Sequence, residues 1–264
     1  MEERKTLDLY KFQDKKANFH THTMRCHHAV GEDREYVERA IEAGFQVLGF
    51  SDHVPIPYRD GYVSRIRMTL TEAEDYVDSI LKLKKEYKND IELHLGFEAE
   101  YFPEQFPELI EALQDYPVEY LILGQHYLFN EKDQRYVGSL ETEEELAAYV
   151  NQVTEGLKTG YFSYVAHPDI GNYKKDEQIY RRYMRQICET SKTLGLPLEI
   201  NENGYRNRAW YPNERFLSLA KEVGNDMIIG VDAHNPMDLS DEANYRECMT
   251  MGRAYARQLI CCGE

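Results

Sequence analysis

The sequence lacks several features that whole classes of protein depend on. No apolar run approaches the roughly 18 residues needed to cross a bilayer, so we expect no membrane partner. No stretch rich in Pro, Gly or Ser divides the chain, and we expect a single domain over residues 1–264. Residues 1–5 lead into no apolar segment, which predicts that there is no signal peptide.

Basic residues and regularly spaced cysteines are also scarce. The sequence has 31 Lys and Arg but 47 Asp and Glu, which gives a formal net charge of −16. A surface with this charge repels nucleic acid. We therefore expect no nucleic-acid partner, although metals or arginines could attract a small anion locally. The five cysteines have no regular spacing, which indicates reduced thiols in a cytoplasmic protein.

Short apolar segments alternate with longer amphipathic ones along the whole chain. The predicted strands are residues 17–20, 46–52, 91–98, 119–124, 164–167, 197–201 and 227–232. The predicted helices are residues 32–43, 71–87, 103–114, 141–158, 177–194, 213–223 and 241–259. Thr71 and Glu74 form a capping-box pattern, and Gly44 and Gly195 stand where helices should end.

Strand–helix units in series favour a parallel sheet in an α/β fold. At this length we expect the sheet to close into a distorted TIM-like (β/α)7 barrel. An open doubly wound sheet is the alternative topology, but no Gly-rich nucleotide-binding motif follows any predicted strand.

Each predicted strand ends in residues that can bind a metal or do acid–base chemistry. In order along the chain, these ends are His20-Thr21-His22, Asp52-His53, Glu98-Ala99-Glu100, Gln125-His126, His167-Pro168-Asp169, Asn201-Glu202-Asn203 and Asp232-Ala233-His234. In a barrel, all of these ends open on one face. His20 and His22 would project to the same side of an extended chain and could share an ion.

This combination of imidazoles and carboxylates suits Zn, Fe or Mn and indicates a metal-dependent hydrolase. Glu98 or Glu100 could bridge two ions, and two bridged ions can activate water. Not every histidine fits this reading: His94 lies inside a strand and is expected in the core or barrel wall, and His27 and His28 need not both be ligands.

The string His20-Thr21-His22-Thr23 followed by Cys26-His27-His28 resembles the opening motif of the PHP (polymerase and histidinol phosphatase) family, and is most similar to its histidinol-phosphate phosphatase branch. Later family motifs follow in order at Ser51-Asp52-His53, Gly96-Phe97-Glu98-Ala99, Gly124-Gln125-His126, Ala166-His167-Pro168 and Asp232-Ala233-His234. The resemblance spans residues 18 to 235.

The resemblance implies a distorted (β/α)7 barrel with three divalent ions, Zn, Mn or Fe. His20, His22, Glu98 and Asp232 would hold the first ion. Glu98 would bridge to the second, which His126 and His167 complete. His28, His53 and His234 would hold the third. His28 is preferred to His27 because the matching family histidine lies eight residues after the first.

The resemblance also implies an activity, the hydrolysis of L-histidinol phosphate in histidine biosynthesis. The alternatives are a PHP phosphoesterase acting on nucleotides or sugar phosphates, a non-catalytic PHP module, and a metal-dependent amidohydrolase. The expected partner is thus a small-molecule phosphate ester, while the oligomeric state stays open.

Several residues beyond the ligands are candidates for catalysis and substrate binding. Glu98 is the central catalytic carboxylate, and the proton donor is expected to be Asp52, Asp169 or a water at the metals. Arg206 and Arg208, after strand six, could clamp phosphate.

Weaker candidates surround these. Arg65 and Arg67 lie in the aperiodic segment 54–70, which is predicted to face substrate. Glu100 is expected beside the metals or against substrate, with a solvated loop carboxylate as the alternative. An imidazole-bearing substrate could stack on tyrosines near the predicted site, namely Tyr58, Tyr62, Tyr101, Tyr127 and Tyr205.

Overall fold

The computed structural model describes residues 6–263, so the signal-peptide prediction for residues 1–5 lies outside the described residues. Eight strands form one sheet in chain order, and every neighbouring pair is parallel. The strands are β1 (Ala17–Asn18), β2 (Val47–Phe50), β3 (Glu92–Ala99), β4 (Tyr120–Leu123), β5 (Tyr164–Val165), β6 (Leu198–Asn201), β7 (Met227–Gly230) and β8 (Leu259–Ile260).

The sheet curls until its two ends meet. Just beyond β1 and β7, Thr21 forms a parallel bridge with Ala233, and the His22 amide donates to the Ala233 carbonyl at 2.9 Å. At the other end of the barrel, β8 lies between β7 and β1. The Ala17 amide there donates to the Cys261 carbonyl at 3.0 Å. The distorted TIM-like barrel is therefore confirmed, with seven predicted strands and one additional short strand.

Eight α-helices connect the strands in the described part of the chain. They are α1 (Asp33–Glu42), α2 (Leu70–Glu86), α3 (Phe106–Leu113), α4 (Glu143–Lys158), α5 (Glu177–Leu194), α6 (Glu202–Arg206), α7 (Glu214–Val223) and α8 (Glu242–Tyr255). The short helix α6 lies where a loop was expected, and α8 ends at Tyr255 instead of continuing to residue 259.

The helix boundaries follow from local hydrogen bonds. The predicted capping box at Thr71 was wrong by two residues: the Thr69 hydroxyl accepts from the Glu72 amide at 3.2 Å, and the Glu72 carboxylate accepts from the Thr69 amide at 2.8 Å. Gly195 ends α5 in the left-handed conformation, with φ of 67°. None of the helices within residues 6–263 is long and apolar enough to cross a membrane.

Tyr120 fills the inside of the barrel. Its hydroxyl donates to the carbonyls of Phe19 and Phe50, both at 3.0 Å, and so joins β4 to the chain beyond β1 and to β2. Gly49 and Gly96 leave room for the ring, since a Cβ at Gly96 would lie 2.4 Å from a Tyr120 ring carbon. The five cysteines are free and buried.

Tyr120→Phe is expected to lower the free energy of unfolding by about 1–3 kcal/mol, because two buried carbonyls would lose their shared donor. Urea denaturation measures this change. Tyr116→Phe, at a partly buried tyrosine before β4, is the control and should change it by less than about 0.5 kcal/mol. Equal effects of both substitutions would contradict a structural role for the Tyr120 hydroxyl.

Candidate metal centre

The carboxyl edge of the barrel brings all nine predicted ligands together. Their ligand atoms form overlapping groups in which the atoms of each group lie within 4.8 Å of one another. The nine are His20, His22, His28, His53, Glu98, His126, His167, Asp232 and His234. The other two histidines lie elsewhere, since His94 is buried against Glu119 and Glu92, and His27 is exposed beside Glu72.

His20 and His22 project to the same side, as expected for an extended chain. Their Nε2 atoms are 3.2 Å apart. His22 Nε2 lies 3.1 Å from Asp232 Oδ1, and His20 Nε2 lies 3.6 Å from Glu98 Oε2. Two imidazoles and two carboxylates thus converge on a space that one ion can share.

Glu98 lies at the centre of the groups. Its Oε1 is 2.8 Å from His167 Nε2 and 3.6 Å from His126 Nε2, while its Oε2 is 3.1 Å from His53 Nδ1. Each oxygen therefore faces a different set of imidazoles, which is the arrangement of a bridging carboxylate. Gly124 makes room for it, because a Cβ there would lie 1.8 Å from Glu98 Oε1.

A further group combines His28, His53 and His234 at the mouth of the barrel. The His28 ring centroid lies 4.9 Å from that of His234 and 5.4 Å from that of His53. His53 also belongs to the group of Glu98 and His126, so it connects the outer and inner parts of the centre.

The charges of these groups suit divalent cations. Burial lowers the pKa of His28, His53 and His234, the last to about 3, so these imidazoles are neutral, the form that binds metals. Burial also lowers the pKa of His20, but Glu199 and the neighbouring carboxylates raise it to about 10. A divalent cation would displace that proton and take over its charge.

Two buried carboxylate oxygens show where cations fit. Glu98 Oε2 and Asp232 Oδ1 are inaccessible to solvent, and no donor forms a well-aligned hydrogen bond with either, although an imidazole nitrogen lies 3.1 Å from each. Burial alone would raise the pKa of both acids, but nearby imidazoles hold both pKa values well below the usual range. A buried anionic oxygen without a donor is costly unless a cation satisfies it. The residues present therefore fit divalent metals.

Several imidazoles contact an oxygen through Nδ1, on the side of the ring away from the candidate metal positions. His20 Nδ1 donates to Glu199 Oε1 at 2.8 Å, and His28 Nδ1 donates to the Cys26 carbonyl at 2.7 Å. His22 Nδ1 lies 3.3 Å from Asp52 Oδ1. With the proton on Nδ1, Nε2 keeps its lone pair for a metal, and the acceptor fixes the orientation of the ring.

Glu199 lies directly behind the candidate ligands, and the sequence analysis missed it. Besides His20, it accepts from the His167 amide at 2.8 Å and from Asn201 Nδ2 at 2.9 Å. A Cβ at Gly230 would lie 1.7 Å from Glu199 Oε1, so a glycine there makes room for the carboxylate. The signal in the sequence was an acidic residue in the middle of an apolar strand.

The two candidate proton donors lie behind the centre. Asp52 accepts from the amides of His53 at 2.7 Å and Thr23 at 3.1 Å, and supports His22. Asp169 accepts from the Asn213 amide at 2.6 Å, and burial raises its pKa to about 7. Neither side chain lines the cavity at the metal centre, so proton donation by either one stays a prediction.

A cavity of about 210 Å³ opens over the metal centre. Tyr127, Tyr136 and Tyr211 line it beside the imidazoles, together with Asn203. Only Tyr127 was among the predicted tyrosines, because Tyr136 and Tyr211 lie in loops far from any strand-end motif. Ile66 also lines the cavity, so part of segment 54–70 faces the site as expected.

The predicted phosphate clamp at Arg206 finds no support. Its guanidinium lies 3.3 Å from Glu202 and 3.3 Å from Asp238 and does not line the cavity. The cause is α6, which turns the expected loop into a helix and places Arg206 four residues after Glu202. Arg208 is exposed and Tyr205 packs against the core, and neither lines the cavity.

Glu100 and the two weaker arginine candidates are also placed by the structure. Glu100 is buried, ion-paired with Arg67, and accepts from the His126 amide at 3.2 Å. It therefore lies beside the metal centre and not in the cavity. Arg65 is exposed.

Comparisons with known proteins agree with this geometry. The sequence profile of the PHP domain matches residues 18–203. This chain belongs to the PHP domain family. A relative from Deinococcus radiodurans, named a probable histidinol-phosphatase, is 29% identical over 82% of this chain and 85% of its own. A histidinol-phosphatase of Bacillus subtilis is 24% identical over 85% of this chain and 95% of its own.

A solved structure shares the PHP fold. It is the histidinol phosphate phosphatase of Lactococcus lactis, complexed with zinc, L-histidinol and phosphate. The two structures superpose with a TM-score of 0.70 at 18% identity, over 93% of this chain and 95% of the other. At that identity the likeness shows the fold alone.

Glu199→Gln is expected to weaken metal binding by about 10- to 100-fold, because an amide cannot serve as a charged acceptor for His20 Nδ1. Chelator competition with Zn²⁺ measures the affinity. Glu189→Gln, at an exposed acidic residue of α5, is the control. Wild-type affinity in Glu199→Gln would show that Glu199 does not support the centre.

Glu202 makes stability depend on pH. Burial raises its pKa to about 8 from an ordinary value of 4.5, so the folded protein holds a proton that the unfolded chain releases. Its contribution to stability is complete below pH 4.5 and is lost as the pH rises to about 8. Glu202→Gln should therefore unfold at higher urea than the wild type at pH 8.5, with a smaller difference at pH 5. A pH-independent difference would contradict this assignment.

Proposed function

We propose that this PHP protein is a metal-dependent phosphatase that hydrolyses L-histidinol phosphate to L-histidinol and phosphate, a step of histidine biosynthesis. The observation that carries the proposal is one cavity lined by the candidate ligand imidazoles, by two carboxylates whose buried oxygens lack a well-aligned donor, and by three tyrosines. Relatives named histidinol-phosphatase, which align over more than four fifths of the chain, support the choice of substrate.

The proposed metal centre holds three divalent cations, Zn, Mn or Fe. His20, His22, Glu98 and Asp232 form the first position; Glu98, His126 and His167 form the second; and His28, His53 and His234 form the third. His53 is also close enough to Glu98 and His126 to contribute to the second position. When bound, the cations supply positive charge for the phosphoryl oxygens and lower the pKa of a water nucleophile.

The charge of the cavity explains why phosphate would need those cations. Among the described residues that line it, none is Lys or Arg, and two are carboxylates. Glu98 and Asp232 would repel a phosphate ester in the absence of cations. Arg206, the expected cationic contact, is engaged with Glu202 and Asp238. Phosphate binding is therefore assigned to the metal positions.

The protein's own side chains then orient the rest of the substrate. Asn203 Nδ2 donates to Asp232 Oδ2 at 3.1 Å and fixes that carboxylate while lining the cavity. The rings of Tyr127 and Tyr136, with centroids 6.0 Å apart, and the ring of Tyr211 line the same cavity as the candidate metal ligands. An imidazole-bearing, cationic substrate can stack on such rings.

The substrate is tested by phosphate release from histidinol phosphate beside a panel of nucleoside monophosphates and sugar phosphates, with protein loaded with Zn, Mn or Fe. We expect kcat/KM for histidinol phosphate to exceed that of every other ester by at least about tenfold. A different preferred ester would overturn the substrate. No hydrolysis of any phosphomonoester would overturn the phosphatase itself and favour a non-catalytic module.

The metal dependence is tested with a matched pair of histidine variants. His22→Ala should lower kcat/KM on the order of 100-fold, because a ligand of the first position is lost. His94→Ala, whose imidazole is bonded to Glu119 and Glu92 away from the site, should retain wild-type activity. Equal activities of the two variants would contradict the ligand assignment.

A further inference from the structure

Three charged side chains form a buried cluster beside the metal centre. Arg67, Glu100 and Glu131 are each at most 2% exposed. They come from three segments of the barrel's carboxyl edge: the segment after β2, the end of β3, and the segment after β4. Burying three charges is costly unless each one is fully paired, so their contacts indicate what they hold in place.

All three nitrogens of the Arg67 guanidinium contact a carboxylate or carbonyl oxygen. Nη2 is ion-paired with Glu100 Oε2, Nε donates to Glu131 Oε2 at 2.6 Å, and Nη1 donates to the Val54 carbonyl at 3.3 Å. A planar fork suits this task, because it can hold two carboxylates in fixed directions at once.

Glu131 anchors the far side of the cluster. Besides Arg67, its carboxylate accepts from the hydroxyls of Ser64 at 2.5 Å, Tyr62 at 3.1 Å and Tyr58 at 3.3 Å. Segment 54–70, which includes the cavity residue Ile66, is thereby fastened to the segment after β4. Arg67 consequently has little freedom to move.

Glu100 connects the cluster to the metal centre. Its Oε1 accepts from the His126 amide at 3.2 Å and lies 3.4 Å from His126 Nδ1. On the other side of the ring, His126 Nε2 lies 3.6 Å from Glu98 Oε1. The contacts therefore run without a break from Glu131 through Arg67, Glu100 and His126 to the central carboxylate.

We propose that Arg67 is a positioning residue for the metal centre: its guanidinium fork, anchored by Glu131, holds Glu100 against His126 and so directs His126 Nε2 at the second metal position. A carboxylate that supports a ligating imidazole fixes its ring and its free nitrogen. Without Arg67, Glu100 loses the partner that sets its direction. The inference rests on the proposed metal centre and is independent of which phosphate ester is hydrolysed.

The test is a double-mutant cycle on metal affinity, read by chelator competition with Zn²⁺ and by the zinc content of the dialysed protein. Arg67→Gln should weaken zinc binding by about tenfold or more in the otherwise wild-type chain. In His126→Ala it should change the remaining affinity by less than about twofold, because the residue through which Arg67 acts is already absent.

A general destabilisation would give a different pattern. Equal losses of affinity in both backgrounds would overturn the proposal, as would wild-type affinity in Arg67→Gln. Arg135→Gln is the matched control, because Arg135 lies on the segment after β4 and is paired with Glu145 at the surface. It should bind zinc as the wild type does.

A conservative variant keeps the test decisive if Arg67→Gln does not fold. Arg67→Lys retains the charge, but one ammonium cannot span Glu100 and Glu131 in the way that the fork does. It should lose less affinity than Arg67→Gln and again show no further loss in His126→Ala. Wild-type affinity in Arg67→Lys would overturn the role of the fork. Absence of zinc binding by the wild type would instead overturn the metal centre, whichever ester is hydrolysed.

Discussion

The rest of this site depends on one carboxylate that is buried among several imidazoles. Glu98 is 1% exposed, one of its oxygens has no well-aligned hydrogen-bond donor, and five histidines have a ring nitrogen within 3.6 Å of its carboxylate. An anion in such a place must be balanced by positive charge. The surrounding imidazoles can supply or bind that positive charge. The missing Cβ at Gly124 leaves space for the Glu98 carboxylate, and the carboxylates behind the imidazoles orient the rings.

Closure of the barrel is what makes the arrangement possible. His20 and His22 follow the first strand and Asp232 follows the seventh, more than 200 positions later in the chain. They meet because Thr21 and Ala233 bridge the two ends of the sheet. An open sheet would leave these residues on opposite edges. Closure and metal binding therefore depend on the same few backbone contacts.

The sequence was sufficient to predict the barrel and the face on which the candidate ligands gather, because metal-binding side chains stand at strand ends and strand ends share one face. The full set of nine, with His28 among them, came from the resemblance to the PHP family. It was insufficient wherever a long-range partner decides the outcome. Arg206 looked free in the sequence, yet Asp238, which follows the next strand, lies 3.3 Å from its guanidinium. Strand β8 has only two residues, too few for any periodic pattern. Glu199 acts on His20, a partner 179 positions away.

The arginines near the cavity are engaged in contacts within the protein and do not line the cavity. Arg67 and Arg206 both lie near the carboxyl edge, and both are paired with carboxylates and kept out of the cavity. The cavity consequently presents Glu98 and Asp232 without any fixed cationic side chain among its described lining residues. An anion meets repulsion there until cations are bound, because the protein as a whole is also acidic, with a formal charge of −16. Affinity for a phosphate ester is therefore expected to depend on metal loading, and Arg67 would contribute to it indirectly, through Glu100 and His126.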